Sequence, residues 1–205
     1  MNTKELYKVF SESIEVKQTI LGSAYLEVLA SMGEIITKAI KGGGKLMLCG
    51  NGGSAADAQH LAAEFLIRLR PHYNREGISA IALCQDTSTI TACGNDFGYE
   101  KLFERMVRTL GQSNDVLLGI TTSGNSENIC LALQAAKEMG IPTLGFLGAG
   151  GGDALSLCDS AFIVPSDVTG RIQESHITAG HGLMEYVEDR LIEDGFLNLQ
   201  YMENN

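Results

Sequence analysis

KLMLCGNGGSAADAQHLAAEF, residues 45–65, sets a short apolar run, a glycine-rich turn and a helical stretch in immediate succession. The run is short and continuously apolar, as expected of a strand buried on both faces of a parallel sheet. Gly50, Gly52 and Gly53 suit a turn whose backbone comes close to a bound anion. The helix that follows would carry His60 and Glu64 on one face, four residues apart. Strand, turn and helix together make the first half of a β–α unit.

The pattern repeats along the chain. ISAIALC (78–84), DVLLGI (115–120), PTLGFL (142–147) and AFIV (161–164) are further short apolar runs, with helical stretches between them. Strands alternating with helices predict a mostly parallel sheet covered on both sides. Residues 4–41 carry apolar positions at helical spacing, including Leu6, Val9, Phe10, Leu26, Leu29, Ile36 and Ile40, and Gly42–Gly44 close them. This reads as one long helix or two shorter ones, outside the alternating unit and free to pack on a partner subunit. GAGGGD (148–153) reads as a loop into a short helix, and a last helix is expected from about Arg171 to Glu193. No linker, repeat or low-complexity segment interrupts the 205 residues, so a single domain is expected. Its two parts are N-terminal helices over 1–44 and a sheet-and-helix core over 45–205.

Composition narrows the function classes. Apolar residues make up 44% and charged residues 20%, as in an ordinary globular chain. The net charge of −10 leaves no excess of Lys and Arg to neutralise a nucleic-acid backbone. A small phosphorylated ligand is not excluded, because a local nest of N–H groups acts independently of net charge. MNTKELYKVF lacks the apolar centre of a signal peptide, and no run approaches the roughly 18 apolar residues of a membrane span. Neither membrane nor nucleic acid is expected as a partner. Cys49, Cys84, Cys93, Cys130 and Cys158 are odd in number, scattered and without a CxxC pair, which fits reduced thiols of a cytoplasmic protein.

Two strand-to-helix turns carry ligand chemistry. CGNGGS (49–54) is the first and ITTSGNS (120–126) the second. In an open parallel sheet such turns lie at the carboxyl ends of the strands, beside helix N-termini that attract phosphate. Thr121, Thr122, Ser123 and Ser126 add hydroxyls. Helix capping alone would explain one such residue, but not four hydroxyls with Gly and Asn in six positions. Neither turn ends in GK[ST], and neither fits GxGxxG with a following acidic residue, so no nucleotide is implied. His60 and Glu64 can hold a divalent ion or orient a general base. Gln173 and His181 lie eight residues apart on the last helix, about 12 Å along its axis. Both reach one ion only by leaning together or by sharing sites between subunits. His176 falls off that face and is given a structural or surface role; His72 is read as solvated.

CGNGGSAADAQHLAAEF, GNDFGYEKLFERMV, DVLLGITTSGNSENI and RIQESHITAGH, in this order and spacing, resemble the phosphoheptose isomerase family of the sugar-isomerase (SIS) domain superfamily. The resemblance covers nearly the whole chain. It implies an α/β three-layer sandwich around a five-stranded parallel sheet and a cytoplasmic homotetramer with sites between subunits. The implied reaction converts sedoheptulose 7-phosphate to D-glycero-D-manno-heptose 7-phosphate, supplying heptose for lipopolysaccharide, capsule or other bacterial surface glycans. It further implies that Thr121, Thr122, Ser123 and Ser126 hold phosphate, with Thr121 standing where the family more often has Ser. Asn51, Gly52, Gly53, Ser54, Asn95, Asp96 and Arg68 would contact the sugar, as would Glu64 and Gln173. His60, Glu64, Gln173 and His181 match zinc ligands, one Zn2+ per subunit. Glu64 and His181 match the acid/base pair. The alternative is a non-catalytic SIS protein that binds a sugar phosphate or associates with the DnaA initiator. The DnaA-associated relatives lack the Glu and His at the catalytic positions, whereas this chain has both.

Overall fold

Every residue of β1 (Leu46–Gly50), β3 (Val116–Thr121) and β4 (Thr143–Leu147) is buried. That burial is why their sequences show no polar alternation. In the computed structural model, which describes residues 3–199, these strands join β2 (Ala80–Ala82) and β5 (Ser160–Ile163) in one sheet. All four pairings are parallel, in the order β2-β1-β3-β4-β5. β2 is shorter than the apolar run 78–84 suggests, because the chain enters it from the long loop after α3 and turns at Cys84.

Among the described residues seven α-helices flank the sheet: α1 (Lys4–Leu21), α2 (Tyr25–Lys41), α3 (Gly53–Leu66), α4 (Thr87–Asp96), α5 (Leu102–Leu110), α6 (Glu127–Glu138) and α7 (Thr169–Glu193). α2, α3 and α7 cover one face, while α5 and α6 cover the other with α4 beside α5. The expected three-layer architecture is present. GAGGGD forms a short 3-10 turn and leads into a second one, Asp153–Leu157.

The N-terminal segment takes the second of its two expected forms, two helices bent by 72° at Gly22–Ala24. It differs from expectation in that α2 is part of the packed face. Met32, Ile36 and Ile40 are buried, and Gly33 lets the Tyr186 ring of α7 lie where a Cβ would otherwise sit. α1 buries only Ile20 among its residues and leaves Leu6, Phe10 and Ile14 more than half exposed. No single described helix is long and apolar enough to cross a membrane.

The sheet order places a reversal between β1 and β3, since the chain goes to β2 on one side and returns for β3 on the other. Ligands of such sheets bind in the crevice at the carboxyl ends there. The turn after β1 is GNGGS and the turn after β3 is TTSGNS, so the two candidate turns flank this crevice.

Candidate active site

The turn after β1 is built on glycine. Gly52 precedes α3 with φ 55° and ψ −118°, a conformation L side chains avoid. In the turn after β3, Gly124 has φ 68° and a Cβ there would lie 2.0 Å from the Gly151 carbonyl oxygen. Close packing of GNS on the GAGGGD loop therefore requires glycine.

Neither turn is spent on capping. Gly52 brings no side chain to α3, and Ser126, at the N-cap of α6, makes no side-chain cap bond. Ser126 Oγ instead shares a 3.0 Å hydrogen bond with Thr121 Oγ1, which lies 3.5 Å from Ser123 Oγ. Ser123 Oγ accepts from the Asn125 N–H at 3.1 Å. Thr122 makes no side-chain hydrogen bond among the described residues. Three hydroxyls thus converge beside the first turn of α6, the arrangement that suits a phosphate.

The two turns are tied to each other. Asn51 Nδ2–H donates to Asn128 Oδ1 at 2.8 Å, and Asn128 Nδ2–H returns a bond to Asn51 Oδ1 at 2.9 Å. The Tyr99 hydroxyl also donates to Asn51 Oδ1, at 2.7 Å. Asn51 therefore fixes the crevice wall. Asn128 and Tyr99 escaped the sequence reading because amide pairs between separate turns leave no local spacing.

A second cluster lies about two helical turns beyond Gly53. His60 Nε2 lies 2.8 Å from His181 Nε2 and 3.3 Å from Glu64 Oε1. The two rings meet edge to face, with centroids 5.0 Å apart. His60, Glu64 and His181 each offer a ligand atom within 4.8 Å of the others, so α3 and α7 of one chain bring all three together. Two imidazoles and a carboxylate are a donor set for a borderline divalent ion. Gln173 lies elsewhere along the seam. Its amide packs on Gly53, where a Cβ would meet Nε2 at 2.4 Å.

Asp57 was missed. It precedes His60 by three residues and Glu64 by seven, a spacing that puts all three on one face of α3. Burial pushes its carboxyl above the ordinary range, with the His60 and His181 imidazoles pulling the other way. Its Oδ2 is buried without a hydrogen-bond partner. Such an orphaned oxygen beside the cluster fits a cation held there.

The remaining candidates stand apart from this cluster. Asn95 Nδ2–H donates to Asp96 Oδ1 at 2.7 Å at the end of α4, and Asp96 lines a cleft with Phe97 and Arg105. Arg68 is exposed just beyond α3 and makes no hydrogen bond or ion pair among the described residues. Ser54 is buried at the start of α3. His176 is fully buried, stacked on Phe146 and bonded through Nε2 to the Leu147 carbonyl, so its role is structural. His72 is exposed, as expected.

The SIS domain family model matches residues 11–148. A phosphoheptose isomerase of Clostridium acetobutylicum is 52% identical over 180 residues, covering 87% of this chain and 91% of that relative. The chain belongs to the phosphoheptose isomerases of the SIS domain family. The solved phosphoheptose isomerase of Neisseria gonorrhoeae superposes with a TM-score of 0.85 at 37% identity, covering 91% of this chain and 98% of that one. That of Francisella tularensis gives 0.87 at 33% identity, covering 92% and 100%.

Proposed function

We infer that this chain is a ketose–aldose isomerase that converts sedoheptulose 7-phosphate to D-glycero-D-manno-heptose 7-phosphate. The observation that carries the reading is a carboxylate and an imidazole, Glu64 and His181, brought together with His60 beside the crevice that the hydroxyl turn flanks.

The hydroxyls of Thr121, Ser123 and Ser126 and the first turn of α6 anchor the phosphate, with Thr122 at the rim. Anchoring the far end of an open-chain heptose converts its binding energy into orientation of C1 and C2. Glu64 takes the proton from C1, the electrons form an enediol(ate), and the same carboxyl returns the proton to C2. His181 moves the matching proton between O1 and O2, and an imidazole suits that shuttle near neutral pH. Asn51, Gly52, Gly53, Ser54 and Gln173 form the wall on the first turn. Asn95, Asp96 and Arg68 bear on the sugar in the assembled protein.

His60, Glu64 and His181 would hold a divalent ion, which the resemblance makes zinc; the resemblance adds Gln173 as a fourth ligand, whose amide would have to turn from Gly53 to reach it. When bound, such an ion polarises the carbonyl and stabilises developing negative charge on oxygen. The wider reading is a single SIS domain over 1–205, working in the cytoplasm as a homotetramer with one Zn2+ per subunit. The exposed apolar side chains of α1 supply surface for that assembly. Its product feeds bacterial surface-heptose synthesis. A purely regulatory sugar-phosphate or DnaA-binding role leaves the Glu64–His181 pairing without a purpose.

The test is turnover of sedoheptulose 7-phosphate by the parent, with and without a chelator, beside Glu64→Gln and His181→Ala. Loss of a general acid or base costs about 10²- to 10⁴-fold, so both folded variants should be nearly inactive. A folded, zinc-supplied parent that leaves the ketose unconverted sinks the assignment.

A further inference from the structure

α3 and α7 run parallel, and their contacts keep nearly constant register. Gly53 meets Gln173, Leu61 meets Gly180, and His60 meets His181. Beyond that point the seam holds charged groups that the reaction does not use. Arg75, from the loop after α3, and Glu188, seven residues after His181 on α7, form an ion pair whose side chains are both 0% exposed. Seven residues are close to two helical turns, so Glu188 shares the face of α7 that carries His181.

The Arg75 guanidinium does more than neutralise Glu188. Its Nε–H donates to Glu188 Oε1, and Nη2–H donates to the Glu64 carbonyl at 3.0 Å. Nη1 donates to the carbonyls of Phe65 and Glu76, each at 3.0 Å. Glu64 lies in the last turn of α3, which ends at Leu66. Carbonyls there lack intrahelical partners and the turn tends to fray. A guanidinium at that end satisfies them and complements the helix dipole. Arg70 closes the arrangement by pairing with Glu188 Oε2 and with Asp189.

We propose that Arg75 and Glu188 are positioning residues: the Arg75 fork ties the backbone of Glu64 to α7 and so sets the reach between the Glu64 carboxylate and the His181 imidazole. The proposal rests on the isomerase reading for its kinetic consequence, but not for its geometry. Buried polar groups held at several points fix orientation, and outer partners of ligand residues are worth about 10- to 100-fold in metal affinity or activity. An arginine is required because the fork serves carbonyls and a carboxylate in different directions, which an ammonium cannot span.

The experiment compares the parent with Arg75→Lys and with the double variant Arg75→Met/Glu188→Leu. The double variant removes both charges at similar volume, which buried pairs commonly tolerate, and leaves Arg70 its bond to Asp189. Each folded protein is assayed for kcat and KM on sedoheptulose 7-phosphate and titrated with Co2+, read by visible absorption of the bound ion. The expected result is a fall in kcat of about tenfold or more, with KM within about twofold of the parent. Co2+ affinity should weaken by about tenfold, and Arg75→Lys should retain more of both than the double variant. Variants that melt earlier yet keep kcat per folded site and Co2+ affinity overturn the proposal. If the parent itself does not convert the ketose, the reaction assignment fails and the cobalt titration alone judges the clamp.

Discussion

His60 Nε2 and His181 Nε2 face each other at 2.8 Å across the seam between α3 and α7. At that distance one ring must donate and the other accept, so the two cannot both carry a proton on the facing nitrogens. A divalent ion held by His60, Glu64 and His181 would take the lone pairs of both facing nitrogens. Removing one ring should therefore remove most of the binding. His60→Ala is expected to weaken Co2+ affinity by about tenfold or more, measured by absorption titration with Glu64→Gln alongside. Parent-like affinity in His60→Ala would show that the ion, if bound, sits elsewhere.

Thr121 tests the phosphate turn. Its hydroxyl bonds Ser126, and the residue is buried at the end of β3. Thr121→Val keeps the shape and loses the hydroxyl, while Thr121→Ser keeps the hydroxyl and loses the methyl. A hydrogen bond to a charged group is worth about 1.5–3 kcal/mol. Thr121→Val should therefore raise KM for the phosphorylated ketose about ten- to a hundredfold, whereas Thr121→Ser stays close to the parent. Equal KM values for all three proteins would remove Thr121 from the phosphate site.

Gly180 tests how closely the two site helices must approach. A Cβ there would lie 2.7 Å from Leu61 Cδ1, nearer than side-chain carbons pack. Gly180→Ala must push α7 away from α3 or force Leu61 off its rotamer. Overpacking of this kind costs about 1–3 kcal/mol. His181 is the next residue, so the same shift opens the gap to His60. A lowered urea midpoint together with reduced kcat is expected. A variant as stable and active as the parent would mean the seam is not tight.

Much of this was legible because it is local. Strand, turn and helix follow one another in 45–65, and four residues separate His60 from Glu64, so period and spacing expose both. The strand order was not legible, since short apolar runs carry no record of their neighbours. The meeting of His181 with His60 across 121 positions was legible only through the family resemblance; no spacing records it, because the packing of α7 on α3 creates it. Asp57 was within reach of the same helical arithmetic that found His60 and Glu64. Arg75 carries no local signal between Asn74 and Glu76; its burial against Glu188 is a tertiary fact. α2 was set apart because it precedes the alternating unit, although its burial of Met32, Ile36 and Ile40 makes it part of one covering layer.

His176 predicts how stability responds to acid. The ring is fully buried, donates Nε2–H to the Leu147 carbonyl at 3.0 Å, and leaves Nδ1 without a partner. Burial lowers its pKa from 6.5 to about 4, only partly offset by the carbonyl bond. The folded protein therefore keeps this histidine neutral where the unfolded chain already binds a proton. Stability must fall as pH drops from about 6.5 towards 4 and be unaffected by this group above that window. Between pH 7 and pH 5 the loss from this one group is about 2 kcal/mol. His176→Gln keeps an N–H donor for Leu147 but cannot take up the proton. Urea unfolding at both pH values should show a smaller acid loss in the variant than in the parent, by roughly that amount. If parent and variant lose equal stability on acidification, His176 is not the buried group that resists protonation.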